Sequence, residues 1–169
     1  MLFDQVIDKR VSYRKFTDEK VSDEDVNKLL DAANKSPIAN GAYDECRLTV
    51  IRDKDILSEI VSEYQNLTGK TKDPLFDTNL FILFSSKKDT NAKYEDAGCV
   101  IENICLKATE MGLGSCYIRG AINSIGKDGK YIEKLSLDEG FYPVSGVVIG
   151  HVDSEIPPRK HEIKTNFIV

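Results

Sequence analysis

No run of apolar residues in this 169-residue chain approaches the roughly 20 needed to cross a bilayer. No membrane association is therefore expected. The opening stretch, MLFDQVIDKR, sets acids among its apolar residues and lacks a basic start followed by an apolar stretch, so it does not read as a signal peptide. Both absences lead to the expectation of a cytoplasmic protein. Histidine is scarce, with only His151 and His161. The cysteines, Cys46, Cys99, Cys105 and Cys116, show no C-x-x-C spacing, so no metal site is expected. Cys99 and Cys105 fall in an apolar helical pattern, where a small buried thiol is the common case, and the cysteines read as structural.

Positive charge is in deficit. Lysine and arginine number 23 against 28 acids, for a net charge of −5, which argues against nucleic-acid binding, since that usually needs a broad basic surface. Gly and Pro are not in excess and no low-complexity segment or internal repeat is present. The hydrolytic and nucleotide signatures G-x-S-x-G, H-E-x-x-H and the P-loop are missing. GLGS at 112–115 is no substitute for G-x-G-x-x-G: it follows a predicted helix and opens a predicted strand, the reverse of the dinucleotide fingerprint.

What is present is an ordinary globular composition, 41% hydrophobic and 30% charged, in a length that suits one compact domain spanning 1–169. Against the acidic background, KRVSYRKF (9–16) stands out: Lys9, Arg10, Arg14 and Lys15 alternate with Val11, Tyr13 and Phe16. Such a cluster is either a solvated helix end or the seat of one small anion.

Apolar periodicity predicts a short helix over residues 2–9, through Leu2, Phe3, Val6 and Ile7. Ser22 is the expected cap of a second helix, with Asp23, Glu24 and Asp25 in its first turn and Val26, Leu29, Leu30 and Ala33 on its buried stripe. SPIANGAYDE reads as a loop. RLTVIRD (47–53) alternates as a strand does, and Asp53 or Asp55 starts a third helix through Ile56, Ile60, Val61 and Tyr64. NLFILFSS (79–86) is a continuous apolar run, as in a strand covered on both faces. Residues 95–111 make the longest helix, with Ala97, Val100, Ile101, Ile104, Cys105 and Ala108 on one flank and glycines at its end. Strands follow at 115–120 and 143–152, separated by short helical pieces, and the chain runs out from about 157 as an extended tail, because consecutive prolines cannot continue a helix. The order predicts an α+β domain of α/β-type three-layer form, with a small mixed sheet flanked by helices and a long central helix.

Four segments do not read as plain core: RVSYR (10–14), SPIANG (36–41), GLGS (112–115) and PPRK (157–160). Their order and spacing resemble the nitroreductase-like flavoprotein family, which binds flavin mononucleotide (FMN). RVSYRKFTDEKVSDEDVNKLLDAANKSP is similar to the family's R-x-S-x-R run and the segment after it. DAGCVIENICLKATEMGLGSCYIRG is similar to its long helix ending in G-L-G-[ST], and YPVSGVVIGHVDSEIPPRK to its last strand and basic tail. The chain departs from the pattern after SPIAN: the usual N-S-Q-P-W is replaced by NGAYDECRL, and Ile38 stands where Ser is common.

The resemblance implies the nitroreductase-like fold and a set of roles. Arg10, Val11, Ser12 and Arg14 would line the flavin phosphate and ribityl chain, with Arg159 and Lys160 closing on the same phosphate. A phosphate monoester is close to a dianion at neutral pH, and guanidinium groups bind it through charge-assisted, often bidentate bonds. Pro37, Ile38, Ala39 and Asn40 would lie along the flavin ring of the other subunit, through the Asn40 side chain and the backbone of Ile38 and Ala39. Leu113, Gly114 and Ser115 would approach the ring of their own subunit, where a backbone N–H can stabilise charge on the reduced ring. Tyr117 and Arg119 alternate with Cys116 and Ile118, so one pair can face the same ligand. His151 and His161 are not needed as acids.

The implied activity is that of a homodimeric FMN-dependent NAD(P)H oxidoreductase. It would take hydride from NAD(P)H onto flavin N5 and reduce nitroaromatics, quinones or similar electron-poor acceptors by a ping-pong mechanism. No side chain would be catalytic, since the flavin supplies the chemistry. The alternatives are other flavin chemistry on the same scaffold (reductive dehalogenation, enoate-type reduction or flavin degradation) and a non-catalytic flavin-binding module. The tail at 157–169, ending in apolar residues, is expected to pack on the partner subunit.

Overall fold

A computed structural model of the chain describes residues 1–157 and 160–168. Arg159, one of the residues expected at the phosphate, lies outside the described residues, as do Pro158 and Val169. The elements are α1 (Phe3–Lys9), α2 (Asp23–Asn34), β1 (Cys46–Ile51), α3 (Lys54–Thr68), β2 (Phe81–Ser86), α4 (Ala92–Glu110), β3 (Gly114–Ile118), α5 (Gly120–Ile125) and β4 (Tyr142–Gly150), with short 3-10 turns between some of them.

Local chemistry explains most of the boundaries. Ser22 caps α2 by accepting the Asp25 N–H at 3.1 Å, and the acids behind it face the positive end of the helix dipole. Asp53, not Asp55, starts α3: its carboxylate accepts the N–H groups of Asp55 and Ile56 at 2.9 and 3.0 Å. Gly69 ends α3 in the left-handed region, at φ 68°. Helix α4 begins at Ala92, ahead of the expected 95, and β3 stops at Ile118 because Gly120 already opens α5.

The strand order is β1-β2-β4-β3. All three pairings are antiparallel. The mixed character expected of the sheet comes down to one parallel bridge, Ser12 with Ser115. Successive residues of β2 point to opposite faces, and every one of them is buried, as its unbroken apolar run predicts. Ile82 and Phe84 join α2 and the buried flank of α4 in one core. Phe81 and Leu83 join Leu57 and Ile60 of α3, α5 and Tyr131 in the other. This is the three-layer arrangement expected from the element order.

Two expectations about burial change. Cys99 is exposed while Cys105 is buried, because only Cys105 lies on the α4 stripe that faces the sheet. In α1 only Val6 is buried, and Leu2, Phe3 and Ile7 stay in solvent: a seven-residue helix lying on α4 turns just one edge toward it.

Gly146 in β4 is where the middle of the sheet is tightest. A Cβ there would stand 2.4 Å from Phe81 Cζ and 2.8 Å from the Ile82 carbonyl oxygen. The ring and the neighbouring backbone would both have to shift. Gly146→Ala is therefore expected to lower stability by about 1–3 kcal/mol, the range for overpacking, read as a lower urea midpoint by circular dichroism. An unchanged midpoint would show that the sheet is less closely packed than described.

Candidate functional site

Chain geometry brings RVSYR to GLGS directly. Arg10 leaves α1 in an extended conformation, φ −66° and ψ 113°. Two residues on, Ser12 bridges Ser115, and the Tyr13 N–H donates to the Ser115 carbonyl oxygen at 2.9 Å. Thr17 then donates to the carbonyl of His151 at 2.9 Å. Residues 12–17 therefore cross the ends of β3 and β4. Glycine makes that crossing possible: a Cβ on Gly114 would meet Val152 Cγ1 at 2.5 Å and Tyr13 Cβ at 3.0 Å.

The space above Gly114 is thus filled by this chain's own side chains, and Leu113 and Ser115 are buried with it. Among the described residues, the next part of the strand has no strand partner on that side. β3 is an edge strand, and Ser115 turns its C=O outward to Tyr13. Backbone direction alternates along an antiparallel strand, so Tyr117 also presents its N–H and C=O outward. The Cys116 thiol lies 3.8 Å from that carbonyl oxygen.

Charge gathers at the same place. Arg10 Nε donates to Glu102 Oε1 of α4 at 2.7 Å. Burial alone would lower its pKa, but the Glu102 hydrogen bond and charge more than offset this and raise it. One carboxylate cannot use all five guanidinium N–H donors, so Arg10 retains capacity toward a second acceptor. Arg14 is exposed and, among the described residues, in no ion pair. Burial pushes the Cys116 thiol up, opposed by the charge of Arg14, a hydrogen bond from Ser12 and the charge of Arg10. Burial likewise pushes Cys105 to about 11, so neither thiol is poised as a nucleophile. Ser115 Oγ sits buried beside the Cys105 thiol, with no hydrogen-bond partner within ordinary distance among the described residues. Lys160 is exposed on the tail.

The second segment, residues 36–41, is fastened elsewhere. Ser36 is fully buried: Asn103 Nδ2 donates to its Oγ at 2.8 Å, and Tyr43 Oη donates to its carbonyl oxygen at 3.0 Å. Ala39 donates its N–H to Asp96 Oδ1 at 2.8 Å and accepts from Lys88 Nζ at 3.1 Å. The Ile38 carbonyl accepts from Gly41. The Ala39 backbone is therefore engaged inside the chain, contrary to the expectation that it faces a ligand. Ile38 is buried in the core, whereas Pro37 and Asn40 are exposed, Asn40 with φ 59°.

Asp96 and Lys88 form the buried ion pair that holds this loop, at 2.6 Å and with side chains only 3% and 7% exposed. Neither was among the expected site residues. A signal was present: Asp96 falls on the otherwise apolar stripe of α4, where an ionised group requires a partner. Glu102 and Asn103, which hold Arg10 and Ser36, carried no comparable mark.

The two segments occupy different parts of α4. Arg10 contacts Glu102 and Ala39 contacts Asp96, about 9 Å apart along the axis and about a third of a turn around it. Arg119, at the far end of the open β3 edge, stacks on the Tyr94 ring at 4.8 Å, so the flank from Glu102 to Tyr94 runs beside that edge for about 12 Å.

A sequence profile of the nitroreductase family matches residues 7–151. The chain belongs to the nitroreductase family. No curated protein matches its sequence. Among solved structures it is similar to a nitroreductase with bound FMN from Desulfitobacterium hafniense (22% identity, 99% of this chain and 98% of that one, TM-score 0.85). Another similar structure is a nitroreductase with bound FMN from Bacteroides fragilis (19% identity, 99% and 98%, TM-score 0.87). A third is an FMN-dependent nitroreductase from Clostridium difficile (28% identity, 96% and 98%, TM-score 0.77). Among the described residues this family member has no cluster of groups able to hold a metal ion and no helix long and apolar enough to cross a membrane.

The Lys88–Asp96 pair yields a prediction with a definite sign. Burial alone would lower the Lys88 pKa, but its hydrogen bond and charge interaction with Asp96 raise it above the ordinary 10.5. The pair's stabilisation is therefore fully present below that value and is lost as pH climbs through the higher folded one. Wild-type stability is expected to fall more steeply in strong alkali than that of the double variant Lys88→Met/Asp96→Leu. Lys88→Met alone, which strands Asp96, is expected to cost on the order of 3 kcal/mol at neutral pH. Equal stability of the single and double variants in urea titrations would contradict the pairing.

Proposed function

We propose that this chain is an FMN-dependent oxidoreductase, one domain over 1–169, that draws electrons from NADH or NADPH and delivers them to an electron-poor organic acceptor such as a nitroaromatic or quinone. The observation that carries the reading is the convergence of Arg10, Ser12 and Arg14 beside the open β3 edge, on one flank of α4.

The donor set fits a phosphorylated flavin. Arg14 and the remaining N–H groups of Arg10 would hold the phosphate with the Ser12 hydroxyl, and Lys160 and Arg159 on the tail would add to it. The outward N–H of Tyr117 would meet the polar rim of the ring, in place of the covered Leu113, Gly114 and Ser115. When bound, FMN supplies the hydride chemistry, so no side chain has to act as nucleophile or general acid. The protein's part is to orient the ring and shield one side of it. A ring face left uncovered would let nicotinamide and acceptor bind there in turn, the condition for ping-pong kinetics.

The reading includes a homodimer. The 36–41 loop is held through Ala39 at a different part of α4 from Arg10, so a site using both segments is most simply assembled from two copies. Apolar surface supports this: Leu2 and Phe3 are 74% and 67% exposed, and Ile163, Phe167 and Ile168 are 91%, 87% and 98% exposed. Side chains of this kind gain about 25 cal/mol per Å² when a partner covers them. All four cysteines are free, which accords with a reducing, cytoplasmic setting.

Purified protein is expected to be yellow, or to become so with added FMN; colourless protein that fails to take up FMN would end the reading. Arg14→Ala should weaken FMN binding by on the order of 1.5–3 kcal/mol, as for a charge-assisted bond, measured by flavin fluorescence. Deleting residues 164–169 should weaken the dimer in analytical ultracentrifugation. Unchanged dimer affinity would remove the tail from the interface.

A further inference from the structure

A pocket of ≈ 90 Å³ opens where β2 ends and β4 begins, walled by Lys88, Lys93, Tyr94, Asn123, Lys127 and Tyr142. It lies at the opposite end of the sheet from Ser12: β4 reaches Ser115 at Ile149 and the pocket at Val144, about 17 Å along the strand. Its volume is well under the roughly 300 Å³ at which pockets begin to enclose whole ligands, and it suits one small group.

We propose that this pocket seats an oxyanion, the phosphate or carboxylate of a substrate. Lys87 and Lys88 are matched by carboxylates, Asp44 at 3.7 Å and Asp96 at 2.6 Å. Lys93, Lys127 and the adjoining Arg119 have no such partner among the described residues, and Asp89 is the one carboxylate on the lining. Each of the three stands over an aromatic ring instead. Lys127 lies 4.4 Å from the centroid of Tyr142, while Lys93 and Arg119 lie 5.4 and 4.8 Å from that of Tyr94. Stacking of this kind restrains a cation without neutralising it, so the pocket holds positive charge in place within an acidic chain. An oxyanion would supply the missing counter-charge and accept charge-assisted bonds from Lys93 and Lys127. Lys88 links the pocket to the 36–41 loop through Ala39, and Arg119 links it to the open β3 edge, so the anion's remainder would extend toward the redox site. Only that last point rests on the flavin reading.

The test titrates the full chain as purified with sodium phosphate, benzoate and neutral benzamide, following backbone amides by NMR. Phosphate or benzoate is expected to shift Asn123, Lys127 and Tyr142 saturably, benzamide is not, and Lys93→Gln/Lys127→Gln should weaken binding by at least about tenfold, the scale of lost charge-assisted bonds. No saturable shift at these three amides, or equal affinity in the variant, would overturn the proposal. Preference for phosphate assigns the site to a nucleotide phosphate and preference for benzoate to an aromatic acid; both sustain it. FMN titration of the same samples judges the flavin reading separately, so either can fail alone.

Discussion

Tyr13 donates its N–H to Ser115 while its side chain stands where one on Gly114 would have to be; three residues later the Phe16 side chain covers Gly150, and Thr17 donates its N–H to His151. That crossing of residues 12–17 over the ends of two strands is the contact the proposed site depends on. It carries Arg14 from the end of a short helix to the rim of an edge strand. It also covers the first residues of β3 and leaves Tyr117 as the point where backbone donors face outward. The glycines at 114 and 150 matter because they are small where two pieces of backbone meet.

Around this crossing the chain separates charge by use. Arg10 is tied to Glu102, and Lys88 to Asp96, so these cations position backbone and loop as much as they could hold a ligand. Arg14, Lys93, Lys127 and Arg119 have no carboxylate partner among the described residues and line open surface. In a chain of net charge −5, these cations lie at two places, one at each end of the sheet. One adjoins the edge that suits a flavin phosphate; the other is small enough for a single oxyanion.

The proposal of a site shared by two copies has the same origin. α4 presents its flanks to different neighbours, and the segments that resemble a single flavin site attach to it about a third of a turn apart. Exposed apolar residues at both ends of the chain then have no cover of their own. A second copy would resolve both together, which is why the proposed function includes a dimer.

Most of the fold was legible in the residues. Periodicity located the helices, the unbroken run of β2 announced a strand buried on both faces, and Ser22 behaved as the cap it resembles. These are local effects, set by side-chain spacing and by groups within four residues of each other. RVSYR and GLGS were legible as candidates for the same reason: charge and glycine stand out from their neighbours. Tertiary structure alone decided which strand edge stays open, that Ala39 has its backbone engaged, that Leu2 and Phe3 face solvent, and that Lys88 meets Asp96. Each of these depends on what lies opposite a residue across the folded chain, and that is set by packing between segments far apart in sequence.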